Sequence, residues 1–263
     1  RQMCIRDSTT NAPLRVTACV LQGYFITCRK KTAGNISKSA TKSEVDAFLQ
    51  KVALTPAAAP SGERGRLIFA LDATASREPT WDQACQIQGH MFEEAASVGG
   101  LDIQMAYYRG FGEFKASDWL SDSDQLVRQM TQVFCLGGQT QIEKVLRHAI
   151  AEGNARKVNA LVFVGDCMEE GVDELCQLAG ELGILRVPTF IFQEGDEHLA
   201  TRAFKQIARL TGGAHCRFDA SSANQLRDLL SAVAVFAAGG RKALESFSKR
   251  MGRDVLLIAQ QVK

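Results

Sequence analysis

Five oxygen-bearing side chains of this sequence stand where a hard cation could be held. Asp72-Ala73-Thr74-Ala75-Ser76 directly follows the apolar run Leu67-Ile68-Phe69-Ala70-Leu71, so one carboxylate and two hydroxyls at alternating positions can point the same way as the chain turns. A second carboxylate, Asp166, comes after the apolar run 158–164 and Gly165. Between them lies Leu136-Gly137-Gly138-Gln139-Thr140, whose glycines permit a tight approach and whose Thr140 stands where a helix begins. Asp72, Thr74, Ser76, Thr140 and Asp166 make an all-oxygen set, which suits Mg²⁺ or Mn²⁺ and suits zinc poorly. Mg²⁺ prefers octahedral geometry and keeps waters, so few charged ligands are needed and one coordination position stays open. A purely architectural reading competes. Ser, Thr and Asp after a strand are common turn and N-cap residues, so Asp72, Thr74 and Ser76 could cap a turn and Asp166 the next helix.

Such a set needs a frame that brings strand ends together, and from Arg66 onward the pattern supplies one. Short apolar runs alternate with amphipathic stretches, the signature of β-α units around a largely parallel sheet. Strands are expected at 67–71, 103–108, 158–164, 189–192 and 215–218, the third nearly continuous in apolar residues and so buried on both faces. Helices are expected at 81–98, 122–133, 141–152, 172–182, 197–210 and 223–238. The 141–152 helix places Ile142, Val145, Leu146, Ala149 and Ile150 on one face. Gly212-Gly213 closes the penultimate helix where a left-handed C-cap is wanted. The fold class is therefore α/β: a doubly wound, largely parallel sheet with helices on both faces. In such a sheet ligands bind beyond the carboxyl ends of the strands, where Asp72 and Asp166 fall.

The ordered set is similar to the metal ion-dependent adhesion site of von Willebrand factor A domains, here of bacterial type. That motif is D-x-S-x-S, then a Thr in a Gly-containing loop, then an Asp after a later strand. Asp72, Thr74 and Ser76 match its first part, with Thr for the first Ser; Thr140 matches the second and Asp166 the third. Thr211-Gly212-Gly213 also resembles the T-G-G that such domains carry after their penultimate helix. The resemblance covers residues 66–238 and implies a Rossmann-like fold with one Mg²⁺ or Mn²⁺. It implies hydroxyls that ligate directly, aspartates that act directly or through water, and a carboxylate from a protein partner in the last position. A MoxR-type AAA+ ATPase is a partner implied by resemblance only. The chain departs from the pattern twice. Thr74 adds a methyl to a ligand, and Cys167 follows Asp166 where many members have Gly.

Around this set, Tyr107, Tyr108, Arg109, Phe111 and Phe114 would sit beside the metal face, and aromatic and Arg anchors are favoured at binding hot spots. Arg77, Glu78, Gln139 and Cys167 complete the expected partner-binding rim, although Arg77 and Glu78 could equally solvate the loop. Gly110-Phe111-Gly112-Glu113 reads as a rim loop, since a lone G-x-G is weak support for nucleotide. Glu169 and Glu170 read as first-turn acids that favour the dipole of the helix after them. Other chemistries fit less well. Asp72-x-Thr74 also resembles haloacid dehalogenase-type phosphatases, but these need a second acid where Thr74 stands. Ser76 and Ser61 lack the G-x-S-x-G elbow, and His90, His148, His198 and His215 are dispersed. A metal-dependent phosphoester hydrolase would need a base or an anion clamp, for which Arg77, Arg109 and Gln139 are the candidates. A scaffold with a vestigial metal site is a third alternative to a non-enzymatic interaction domain.

The bulk numbers are those of a globular protein: 263 residues, 46% hydrophobic and 23% charged, with a net charge of +2. Lys and Arg are scattered, so the footprint of a nucleic-acid or anionic-membrane binder is missing. No apolar run approaches the roughly 20 residues of a membrane-spanning helix. The eight cysteines fall singly, with no C-x-x-C pair, and read as reduced thiols in a cytoplasmic chain. Residues 1–36 sustain no amphipathic period, and their opening resembles an assembly or adaptor artefact, so they are expected to be a non-native or disordered leader. A short helix at 43–54, N-capped by Ser43, precedes an Ala/Pro linker at 55–62, the two making up the segment 37–65. Residues 239–263 are expected to form a C-terminal helical extension, in which the apolar run 255–259 could be an edge strand or a helix.

Overall fold

The computed structural model describes residues 42–54, 64–78, 100–218 and 223–250. The chain divides into two units, Arg1–Ile36 and Ser37–Lys263, and everything described belongs to the second. The helix expected at 81–98, the Ala/Pro linker, the leader and the run 255–259 lie outside the described residues.

Six strands form one sheet in the order β3-β2-β1-β4-β5-β6. They are β1 (Gly65–Asp72), β2 (Leu101–Arg109), β3 (Glu113–Ala116), β4 (Ala160–Gly165), β5 (Thr189–Glu194) and β6 (Ala214–Phe218). Every pairing is parallel except β2 with β3. All eight residues of β1 and all six of β4 are buried, because these central strands are covered on both faces. On one face, Ile68, Ala70, Tyr108, Leu161, Phe163 and Ile191 pack against α3 (Ile142–Ala155), α4 (Val172–Ile184) and α5 (His198–Leu210). On the other, Leu67, Phe69, Leu71, Val162, Phe190 and Phe192 pack against α1 (Lys42–Leu54), α2 (Ser123–Thr131) and α6 (Ala223–Arg250). This is the expected doubly wound α/β arrangement.

The structure differs from the sequence reading at three places. The segment 110–113, read as a rim loop, is the turn of a hairpin whose return strand β3 is too short and too exposed to show as an apolar run. The helix α1 begins at Lys42, so Ser43 lies inside its first turn rather than capping it, and the helix belongs to the core: Phe48 and Val52 are 2% and 0% exposed, and the Phe48 ring meets those of Phe190 and Phe192 at 6.1 and 5.2 Å. The expected break at 238–239 is a kink at Gly240 inside α6, beyond which Leu244 and Phe247 return to the same core. The C-cap expectation matches, with Gly212 at φ 74° just after α5.

Candidate metal face

Asp72 is the last residue of β1 and Asp166 the first after β4, and the two strands are adjacent and parallel with Leu71 paired to Val164. The close packing of Gly165 on Asp72, where an added Cβ would come 3.5 Å from the Asp72 Cβ, holds the carboxylates near one another. Asp72 is wholly buried. Its Oδ1 accepts from the Thr74 backbone N–H at 2.8 Å and its Oδ2 from the Tyr108 hydroxyl at 2.9 Å. Burial first and the neighbouring Asp166 second push the Asp72 carboxyl up to about 6. Asp166 carries a buried Oδ1 that meets no hydrogen-bond donor.

The turn after β1 presents the hydroxyls. Thr74 Oγ1 and Ser76 Oγ lie 3.0 Å apart, and the Thr74 side chain makes no capping bond to the short helical turn Ala75–Arg77. The N-cap of α4 is Gly171, so Asp166 does not serve that helix either. The 136–140 loop is tied to this turn through the Leu136 N–H, which donates to the Ala73 carbonyl at 3.0 Å. It is tied to the hairpin turn through the Gln139 N–H, which donates to the Gly110 carbonyl at 3.2 Å. Gly138 permits that approach, since a Cβ there would lie 2.0 Å from the Gly110 oxygen. Thr140, 6% exposed, donates its hydroxyl to Glu170 and accepts from the Glu169 N–H at 2.9 Å.

Two further residues belong to the face that spacing did not reveal. Glu170 reaches back to α3, and Glu169 to the loop just before it, instead of forward to α4. Glu170 accepts from the Ile142 and Glu143 N–H groups, capping α3, while Glu169 accepts from the Thr140 N–H at 3.1 Å. A carboxylate can cap any helix whose first turn comes within reach, and sequence order names only the helix that follows.

The expected rim divides. Phe111 is 85% exposed at the hairpin tip, and Gln139 and Glu78 are exposed. Cys167 is half-buried. Arg77 lies inside, 1% exposed, ion-paired with Glu194 and 5.7 Å from the Phe218 ring. Burial opposes its charge, and Asp166 and Asp72 are the first groups that favour it, so this guanidinium sits within the field of both carboxylates. Arg109 is 8% exposed and holds Glu113 with both ends of its fork, at 2.9 and 3.0 Å. It also donates to the Phe134 carbonyl at 2.9 Å and stacks 4.3 Å from the Phe134 ring. Arg109 and Lys115 together bring the Glu113 carboxyl down to about 2.

The residues fit a hard cation. Two carboxylates at neighbouring strand ends repel each other, one of their oxygens is buried without a donor, and hydroxyls rather than His or Cys surround them. Among the described residues no cluster of three His, Cys, Asp or Glu side chains forms a metal site, so any ion here would rely on the hydroxyls.

This fold is that of von Willebrand factor A domains. No family model and no curated protein sequence matches the chain. Among solved structures it resembles the von Willebrand factor type A protein from Catenulispora acidiphila, with a TM-score of 0.53, 12% identity, and 65% of this chain and 43% of that one covered. The SpRpn10 VWA domain gives 0.52 and 12%, covering 68% of this chain and 98% of that domain. The PilB minor pilin from Streptococcus sanguinis gives 0.50 and 8%, covering 67% and 62%. The chain thus spans under half of the Catenulispora protein and under two thirds of the pilin. At these identities the likeness is one of fold.

Proposed function

We propose that this chain is a non-enzymatic, metal-dependent protein-interaction domain. Asp72, Thr74, Ser76, Thr140 and Asp166 would hold one Mg²⁺ or Mn²⁺. Once bound, the ion would supply a Lewis-acidic position for an Asp or Glu carboxylate of a protein partner. The observation that carries this reading is the buried Oδ1 of Asp166, without a hydrogen-bond donor and beside the buried Asp72 carboxylate. The architectural alternative accounts for Asp72, which caps its turn through the Thr74 N–H, but not for Asp166, since α4 is N-capped by Gly171. The chain's own residues prepare the face: Tyr108 and the Thr74 N–H orient Asp72, Glu169 and Glu170 orient Thr140, and Arg77 offsets part of the negative charge beneath. Phe111 supplies an exposed aromatic at the rim.

A hydrolase would use free cations to clamp a phosphoester, whereas Arg77 pairs with Glu194 and Arg109 with Glu113, which favours binding over catalysis. A MoxR-type AAA+ ATPase is one partner class in keeping with this reading. Cys135, Cys167, Cys176 and Cys216 are thiols, in keeping with work in the cytoplasm, and among the described residues no helix is long and apolar enough to cross a membrane.

Thermal unfolding with Mg²⁺ or Mn²⁺ against EDTA tests the site. An ion that binds only the native state, at about 100 times its dissociation constant, should add roughly 2.7 kcal/mol to the parent and nothing to Asp72→Ala. Saturating metal that leaves the parent unmoved would end the metal reading. If metal binds but Thr140→Ala captures acidic partners as well as the parent does, the carboxylate bridge is wrong.

A further inference from the structure

Three large apolar side chains are exposed beside the metal face: Phe111 at the hairpin tip, Phe134 (60%) and Leu136 (38%). Leu136 stands directly against a candidate ligand. It forms a parallel bridge with Thr74, and residues paired in this way carry their side chains on the same side. The Ala73 N–H donates to the Tyr108 carbonyl of β2 at 2.9 Å, and the Ala73 carbonyl accepts from the Leu136 N–H. The N–H and C=O of one strand residue point the same way, so the loop carrying Leu136 continues the β2 side of β1. Phe134, two residues earlier, is fixed there by Arg109, which donates to its carbonyl and lies against its ring. The tip with Phe111 leans on the same loop through the Gly110 carbonyl and the Gln139 N–H.

Charge on this flank is already matched. Arg109 and Lys115 both pair with Glu113, and Lys144 Nζ donates to the Gly112 carbonyl at 2.7 Å and to Gln141 Oε1 at 2.8 Å. Glu169 and Glu170 lie on the other flank, past β4. Singly exposed apolar residues are common on any protein surface. Here three gather on one side of the candidate ligands, and one of them is the bridge partner of Thr74. A chain segment that brings a carboxylate to an ion at Thr74 must therefore also lie on Leu136.

We infer that the carboxylate this face accepts belongs to an Asp or Glu flanked in the partner by a large apolar residue, whose side chain covers Leu136 and Phe134. Partner choice of this kind rests on the metal reading above and narrows it. An acid in a purely polar setting fills the ion's open position but leaves the apolar flank in water, and a flanking apolar side chain removes that surface.

The test titrates the ¹⁵N-labelled full chain in Mg²⁺ with the capped peptides Ser-Leu-Glu-Leu-Ser, Ser-Ser-Glu-Ser-Ser and Ser-Leu-Gln-Leu-Ser, following the amides of Leu136 and Thr140. The first should bind about tenfold more tightly than either of the others, which is about 1.4 kcal/mol and less than full burial of one Leu provides. In EDTA its advantage over the Gln peptide should vanish. Phe134→Ser with Leu136→Ser should bring the first peptide down to the level of the second, while the rise in thermal midpoint with Mg²⁺ stays as in the parent. If that variant misfolds, Phe111→Ser, at the exposed tip, should lower the same advantage. Equal affinity for the first two peptides, or an advantage untouched by these substitutions, overturns the inference and leaves the metal and the carboxylate bridge standing. Equal affinity for the first and third, or binding indifferent to EDTA, overturns it together with the carboxylate bridge.

Discussion

Arg77 is ion-paired with Glu194 beneath the metal face, joining the turn that carries Thr74 and Ser76 to the end of β5. The guanidinium is 1% exposed and feels Asp166 and Asp72 as well, so one buried cation answers three carboxylates. A face with this charge balance holds its shape through its own residues, and three carboxylates packed together without a cation would not.

Replacing that cation should therefore be costly and recoverable in part. Arg77→Met leaves buried carboxylates uncompensated, and breaking a buried pair in this way costs about 3–5 kcal/mol. Glu194→Gln in the same chain should restore part of the loss, with a coupling of about 0.5–3 kcal/mol in a double-mutant cycle read from urea unfolding. Added Mg²⁺ should stabilise Arg77→Met more than the parent, because the ion replaces missing charge. Additive single effects would show that Arg77 acts through packing alone.

Glu170 is expected to act as a cap for α3 rather than for α4. Glu170→Ala removes the acceptor for the Ile142 and Glu143 N–H groups and for the Thr140 hydroxyl. Lost caps of this kind cost about 1–2 kcal/mol. Glu170→Gln, which keeps an oxygen acceptor, should recover much of it. Hydrogen exchange locates the effect: amides in the first turn of α3 should lose protection, and the first turn of α4 should not.

Acid sensitivity follows from His215. Burial, with Lys205 and Arg217 adding to it, lowers its pKa from 6.5 to about 4 in the folded chain, where its Nε2 lies 2.9 Å from Gln193 Oε1. Between those values the unfolded chain binds a proton that the native chain does not. Native stability is thus undiminished above the unfolded pKa and falls as pH drops toward the folded one, by about 3 kcal/mol at most. His215→Gln, measured by urea unfolding across this window, should flatten the curve. A curve unchanged by the substitution would assign the slope to other groups.

The sheet and both aspartates were legible because each rests on a local pattern. Leu67 to Leu71 and the run before Gly165 are apolar enough to name buried strands, and a carboxylate directly after such a run has one place to go. What was not legible depends on partners distant in sequence. Nothing near Glu170 says that its carboxylate reaches a helix that precedes it, and nothing near Arg77 says that Glu194 waits inside to receive its charge. The half-exposed strand β3 has too little apolar character to be distinguished from a loop. For α1, amphipathic spacing identified Val45, Phe48, Leu49 and Val52 as one face without showing what covers it.

That face supplies a direct test of whether the fold begins before β1. Phe48 is 2% exposed, edges onto Phe190 at 6.1 Å and tilts on Phe192 at 5.2 Å, so its ring fills space between α1 and β5. Truncating a buried Phe to Ala removes the transfer free energy of the ring and leaves a cavity, together about 3–5 kcal/mol. Were α1 a mere connector, Phe48→Ala would cost no more than a surface substitution, about 0.5 kcal/mol either way. Phe48→Leu, which keeps most of the volume, should fall between these limits. The order parent, Leu, Ala in urea unfolding would place α1 in the same cooperative unit as the sheet, and a chain started at Arg64 should then lose its cooperative transition.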